Sequence, residues 1–140
     1  MTPITLLPTT STFEQIDIQG DPVKAGAWYG IPDGLHTIAI YVQNFIGRIY
    51  VEGSISADTR NAVWFPIKLG TDTDYIEFPQ NPKNNTSIRG GDNGVVGATF
   101  TVNALWLRAR VERAYYLTST DLTPDAISQF GSVRKIMMCV

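Results

Sequence analysis

The chain contains one cysteine, one histidine and few charges, and each shortage removes a class of explanation. A lone thiol, Cys139, cannot close an intramolecular disulfide or build a thiolate zinc cluster, so it reads as a small buried hydrophobe. A lone imidazole, His36, leaves little from which to assemble a Ser-His-Asp arrangement, even with Asp33 near it in sequence. No GxSxG nucleophile elbow is present, and GSI and GSV supply only isolated serines. His36 is therefore read as a strand histidine held by a structural hydrogen bond, and no enzymatic activity is expected. Lys and Arg number 11 against 13 Asp and Glu, a formal net charge of -2. Phosphate recognition needs clustered cations, so nucleic acid is not an expected partner. Charged residues make up 17% of the chain, where about 25% is usual for soluble domains. Neutral polar side chains must cover the surface instead, a composition that suits a protein packed against neighbours.

Long hydrophobic runs are missing too. No window approaches the roughly 20 apolar residues of a membrane helix, and a membrane is not an expected partner. The start, MTPITLLPTTSTF, has no basic region followed by an apolar core, and it reads as mature from the first residue. A soluble protein, or a component of a soluble assembly, is the expectation. GGDNGVVG lacks the lysine of a GxxxxGK phosphate loop and does not open a helix, so no nucleotide cofactor is expected. Asp72, Asp74, Glu77 and Asp92 gather around TDTD and GGDNG, oxygen ligands of the kind calcium takes from flexible loops. EF-hand spacing is absent and Asp-Gly-Asn clusters mark turns, so these are read as solvated loop carboxylates; no metal and no glycosidase pair is expected.

What the sequence does contain is alternation. From Asp33 to Ser56 it reads DGLHTIAIYVQNFIGRIYVEGSIS, two runs around one short connection. Ile38, Ile40 and Val42 oppose Thr37, Ala39, Tyr41 and Gln43; Ile49, Val51 and Ile55 oppose Arg48, Tyr50, Glu52 and Ser54. Successive strand residues face opposite ways, so each run has one apolar and one polar face, and the two read as a strand pair of an antiparallel sheet. Asn103 to Tyr116 behaves alike: Leu105, Leu107, Ala109 and Val111 alternate with Trp106, Arg108, Arg110 and Glu112. A period of two excludes a helix there.

Shorter signals fill in the rest. Ile4 to Leu7 reads as an edge strand before Pro8, and Phe13, Ile16 and Ile18 as a second strand. Gly20 to Gly34 has four glycines and two prolines and reads as a loop carrying Trp28 and Tyr29. Pro66 places Val63 to Leu69 at an edge or bulge. Residues 70 to 94 form a long irregular stretch interrupted by a brief strand at Tyr75, Ile76 and Phe78, and a strand follows from Val95 to Val102. Asp121 to Phe130 allows one helical turn, with Thr123 as N-cap. Ser132 to Val140 alternates again at Ile136, Met138 and Val140 and should pair with an early strand. The sum is an all-β protein: one β-sandwich domain over residues 1–140, jelly-roll-like, with about eight to ten short antiparallel strands and little helix.

Two groups of exposed-face residues are candidates for recognition. Trp106, Arg108 and Arg110, with Arg48 and Tyr50, combine the residue types favoured at protein interfaces. Trp28 and Tyr29, with Tyr41 and Tyr50 as further rings, are the types on which a sugar ring would stack; the alternative is that Trp28 and Tyr29 pin their loop to the core.

The strand TIAIYVQNF, the turn and strand GRIYVEGS, the WF pair and the closing GSVRKI together resemble the small virion structural proteins of tailed bacteriophages, especially those of cyanobacteria. The likeness covers the middle third of the chain and its last ten residues. It implies a non-enzymatic β-sandwich located in the virion as a capsid decoration, neck, tail or fibre component. Its partners would be other virion proteins and copies of itself. A carbohydrate-binding module for host surface glycans is the alternative.

Overall fold

The computed structural model describes residues 3–7, 17–31, 33–69, 73–78, 92–113 and 131–140. Within them the alternating runs become ten strands: β1 (Ile4–Leu7), β2 (Asp17–Gln19), β3 (Val23–Lys24), β4 (Leu35–Phe45), β5 (Gly47–Ser54), β6 (Phe65–Pro66), β7 (Tyr75–Phe78), β8 (Asp92–Thr101), β9 (Trp106–Arg113) and β10 (Ser132–Cys139). One sheet, here sheet A, has the order β1-β10-β4-β8; the other, sheet B, has β2-β9-β5-β6, with β3 also on β9 and β7 also on β5. Every pairing is antiparallel.

The short strands of sheet B are pieces of two interrupted lanes. Along β9, Gln19 pairs with Arg110, the Gly20 N–H donates to the Ala109 carbonyl, and Val23 pairs with Leu107. The Ala25 N–H extends the same lane by donating to Leu105. Along β5, Phe65 faces Gly53, the Ile67 N–H donates to Val51, and Tyr75 resumes opposite Tyr50. With β2 and β3 counted as one lane and β6 and β7 as another, eight lanes remain, ordered 1-8-3-6 in sheet A and 2-7-4-5 in sheet B. That is the jelly roll, two Greek keys closed into a double sheet. The last strand lies between β1 and β4, so the chain end is tied into the sheet.

The core lies between the sheets and follows the sequence parity. Ile38, Ile40, Val42, Ile136 and Met138 of sheet A meet Ile18, Ile49, Val51, Leu107, Ala109 and Val111 of sheet B, all buried. Each such Ile, Leu or Val contributes on the order of 1.5–3 kcal/mol on leaving water. Phe45 and Phe78 close one region of the core edge-on, with ring centroids 5.3 Å apart.

The two runs from Asp33 to Ser56 are strands, as their alternation implies, but they do not pair with each other. β4 belongs to sheet A and β5 to sheet B, and only Ile46 separates them. A hairpin needs a loop of at least about two residues. One residue instead suffices for a corner that carries the chain from one sheet to the other. Asn44 takes a φ of 51°, the β4–β8 register slips between Val42 and Phe45, and Phe45 and Ile46 are both buried at the bend.

Smaller expectations are also corrected. Ile55 is 70% exposed because β5 ends at Ser54, so parity no longer dictates its direction. Cys139 is exposed, on the outer face of β10. The Gly20 to Gly34 segment holds β3 and a 3-10 turn, Gly26–Tyr29, ended by Gly30 at φ 75°. Strand β8 begins at Asp92, ahead of the expected Val95. Phe13, Ile16, the proposed helical turn at Asp121 to Phe130, and most of the loop before β8 lie outside the described residues.

Candidate functional site

Strand β9 lies between β5 and the β2–β3 lane, so its outward side chains are flanked by those of both neighbours. Register alone sets Arg108 opposite Glu52, Arg110 opposite Tyr50 and Glu112 opposite Arg48. Arg48 in turn faces Glu77, and Tyr50 faces Tyr75, across the β5–β7 pairing. The result is a lattice of cations, rings and carboxylates on the outside of sheet B. Arg108 Nε donates to Glu52 Oε1 at 2.8 Å, Arg110 Nη1 to Glu112 Oε2 at 3.2 Å, and Arg48 Nη2 to Glu77 Oε1 at 3.5 Å. The guanidinium of Arg108 lies 4.1 Å from the Trp64 ring centroid, that of Arg110 4.0 Å from Tyr50, and that of Arg48 4.1 Å from Tyr75. A guanidinium between a ring face and a carboxylate is held in one orientation, because both contacts favour the same planar cation.

All five expected interface residues, Trp106, Arg108, Arg110, Arg48 and Tyr50, therefore stand on one face, each half-buried by its neighbours. Their partners Trp64, Glu77 and Tyr75 are not identifiable from local pattern. Trp64 sits in the short run whose Pro66 marks an edge or bulge, and cross-strand pairs emerge only from register.

Trp28 and Tyr29 project from the 3-10 turn near the start of β9 and are 43% and 52% exposed. Trp28 packs on Trp106 with ring centroids 5.0 Å apart, and Lys24 Nζ lies 4.8 Å over the Trp28 ring. Trp106 Nε1–H donates to the Ser56 carbonyl at 3.2 Å. Trp28 thus continues the outer lattice of sheet B, where the sequence left open a role in pinning the loop to the core.

The outer face of sheet A differs. Thr37, Ala39 and Tyr41 of β4 pair with Thr99, Gly97 and Val95 of β8 and with Cys139, Met137 and Lys135 of β10. A shallow depression of about 320 Å³ lies there, lined mainly by Pro3, Ala39, Tyr41, Lys135, Met137 and Cys139. Among the described residues its lining includes no carboxylate and no imidazole.

His36 is buried on the inner side of β4. Its Nδ1–H donates to the Gly34 carbonyl at 2.8 Å, and its Nε2 accepts from the Gly26 N–H at 3.0 Å. These bonds define a neutral imidazole stacked on Phe100 at 5.4 Å. Burial holds its pKa below the ordinary 6.5, against weaker raising effects of the Gly34 carbonyl and Asp33. Both ring nitrogens are engaged with backbone, and the imidazole joins the 3-10 turn to β4.

No three His, Cys, Asp or Glu side chains gather as a metal site among the described residues. Of TDTD and GGDNG, residues 71, 72, 90 and 91 lie outside them. No helix among the described residues is long and apolar enough to cross a membrane. No protein-family model matches the chain, and searches of curated proteins and of solved structures found no match.

Proposed function

We propose that this jelly roll is a non-enzymatic structural component of a tailed-phage virion, acting through contacts with other virion proteins and with its own copies. The resemblance of TIAIYVQNF, GRIYVEGS, WFPI and GSVRKI to such proteins supplies the biological setting. The observation that carries the contact reading is the sheet B lattice. Arg, Trp and Tyr are the side chains that anchor interfaces, and anchors already held in place lose little entropy on docking. Arg108, Arg110 and Arg48 are so held, each by a ring and a carboxylate.

The test is physical association with particles. Antibody raised against the purified chain should label density-banded virions in electron microscopy, and Arg108→Glu with Arg110→Glu should abolish incorporation while leaving the fold intact by circular dichroism. Absence of the chain from banded particles overturns the proposal. The carbohydrate alternative has one observation in its favour, the exposure of Trp28 and Tyr29. Glycan-array binding lost on Tyr29→Ala would establish it instead.

A further inference from the structure

Strand β8 is the last strand of sheet A, and its ten residues make it long for an edge. One side pairs with β4 from Leu35 to Phe45; among the described residues no strand pairs with the other side. An edge strand presents a row of backbone N–H and C=O groups, which proteins ordinarily guard with lysine, proline or a short strand. Asp92–Thr101, DNGVVGATFT, contains no lysine, arginine or proline, and its one charge is at its first position. On the inner side Val96 and Ala98 are only partly buried, and on the outer side Val95 is 57% exposed. This is an edge with apolar side chains still partly in water on both faces.

We propose that two copies of the chain join antiparallel along β8, making one continuous eight-stranded sheet from the two A sheets. The inference rests on the reading of a protein that works by contact with its own copies, and it names the surface by which they meet. A second β8 is the occupant that fits, because the chemistry on offer is main-chain pairing and, beyond Asp92 at its start, the strand carries no charge to repel its own image. Gly94, at φ 118°, breaks the regular strand, leaving Val95 to Thr101 as the pairing segment. Its midpoint is Ala98. A two-fold axis there sets Val96 against Phe100 on the inner face and Val95 against Thr101 on the outer face, so the inner and outer faces of both copies stay aligned. It also sets Ala98 opposite Ala98 of the second copy.

Sedimentation equilibrium on the full chain should give twice the 15.4 kDa mass of one chain. Val95→Lys with Thr101→Lys places like charges opposite each other across the axis and, at exposed positions, should spare the fold. The expected result is a monomer with unchanged circular dichroism. In a Cys139→Ser background, Ala98→Cys should form an intermolecular disulfide under mild oxidation, since directly opposed antiparallel residues lie about 4.5–5.5 Å apart at Cα. Val95→Cys in the same background should not, because its counterpart is Thr101. A monomeric parent chain, a dimer indifferent to the double lysine variant, or cross-linking through Val95→Cys in preference to Ala98→Cys overturns the proposal. A monomer that still labels virions defeats the strand pairing alone; a β8 dimer missing from virions defeats the virion reading alone.

Discussion

On the outside of sheet B three arginines lie against aromatic rings and carboxylates of the same chain, whereas on the outside of sheet A the rows run Thr99–Thr37–Cys139 and Gly97–Ala39–Met137. The charges among sheet A's described outward side chains, Arg134 and Lys135, sit at the β10 bulge, with Lys135 Nζ 4.7 Å over the Tyr41 ring. Both faces cover the same apolar core and are built with the same period of two. One holds its charges against one another; the other carries its two described charges at the β10 bulge, with small side chains along its middle. A partner of sheet B meets oriented functional groups, while a partner of sheet A meets a surface of small neutral side chains away from Arg134 and Lys135, bounded by a strand edge that no described strand pairs with.

The largest expected disruption is at the corner from which the two faces diverge. Gly131 takes a φ of 69°, and an added Cβ would run into the Asn44 carbonyl at the bend leading from β4 to β5. Gly131→Ala should therefore cost about 3 kcal/mol or more, measured by urea unfolding, or prevent folding altogether. A loss under about 1 kcal/mol would show that the corner yields easily and is not what keeps the two sheets apart.

His36→Ala comes next. It leaves the Gly26 N–H without its acceptor and a void beside Phe100, for a loss of about 2–4 kcal/mol. The same residue sets a pH dependence. Its folded pKa lies below the unfolded value of 6.5, so the unfolded chain takes up the proton first. Stability from the neutral imidazole is complete above pH 6.5 and is lost as pH falls through 6.5 toward the folded value. Unfolding midpoints followed down from pH 7.5 should fall in this window for the parent chain, and the fall should flatten in His36→Ala.

Glu52→Ala sharpens the comparison directly. Arg108 and Glu52 are each 21% exposed in their side chains, so removing the carboxylate leaves a largely covered guanidinium short of one partner. A loss of about 1–2 kcal/mol is expected, decreasing with added salt. Thr37→Ala on sheet A removes only a hydroxyl contact with Thr99 at 3.3 Å and should change stability by less than about 0.5 kcal/mol. Equal losses for the two variants would erase the distinction between the faces.

Much of this was legible residue by residue. The buried positions of β4, β5, β9 and β10 alternate in sequence as they do in space, and Pro66 stands at an edge strand as its missing N–H requires. The five interface candidates share a face because Arg48 and Tyr50 on β5, and Trp106, Arg108 and Arg110 on β9, each fall on one parity of two strands that pair in register. Their ring and carboxylate partners were not legible, since Trp64 reaches Arg108 across a gap of 44 residues that only the sheet closes. Cys139 is exposed because it alternates with the buried Ile136 and Met138 on β10, and that parity outweighs the usual burial of a lone cysteine.

The sequence by itself determined where strands form and which side chains are turned the same way, because a period of two is a property of the local backbone. Only the tertiary structure decided that Asp33 to Ser56 belongs to two sheets, that four short strands complete two lanes, and that the arginines meet rings from distant segments. Those outcomes depend on register and on which sheet covers which face, and both are set by packing the whole apolar surface at once.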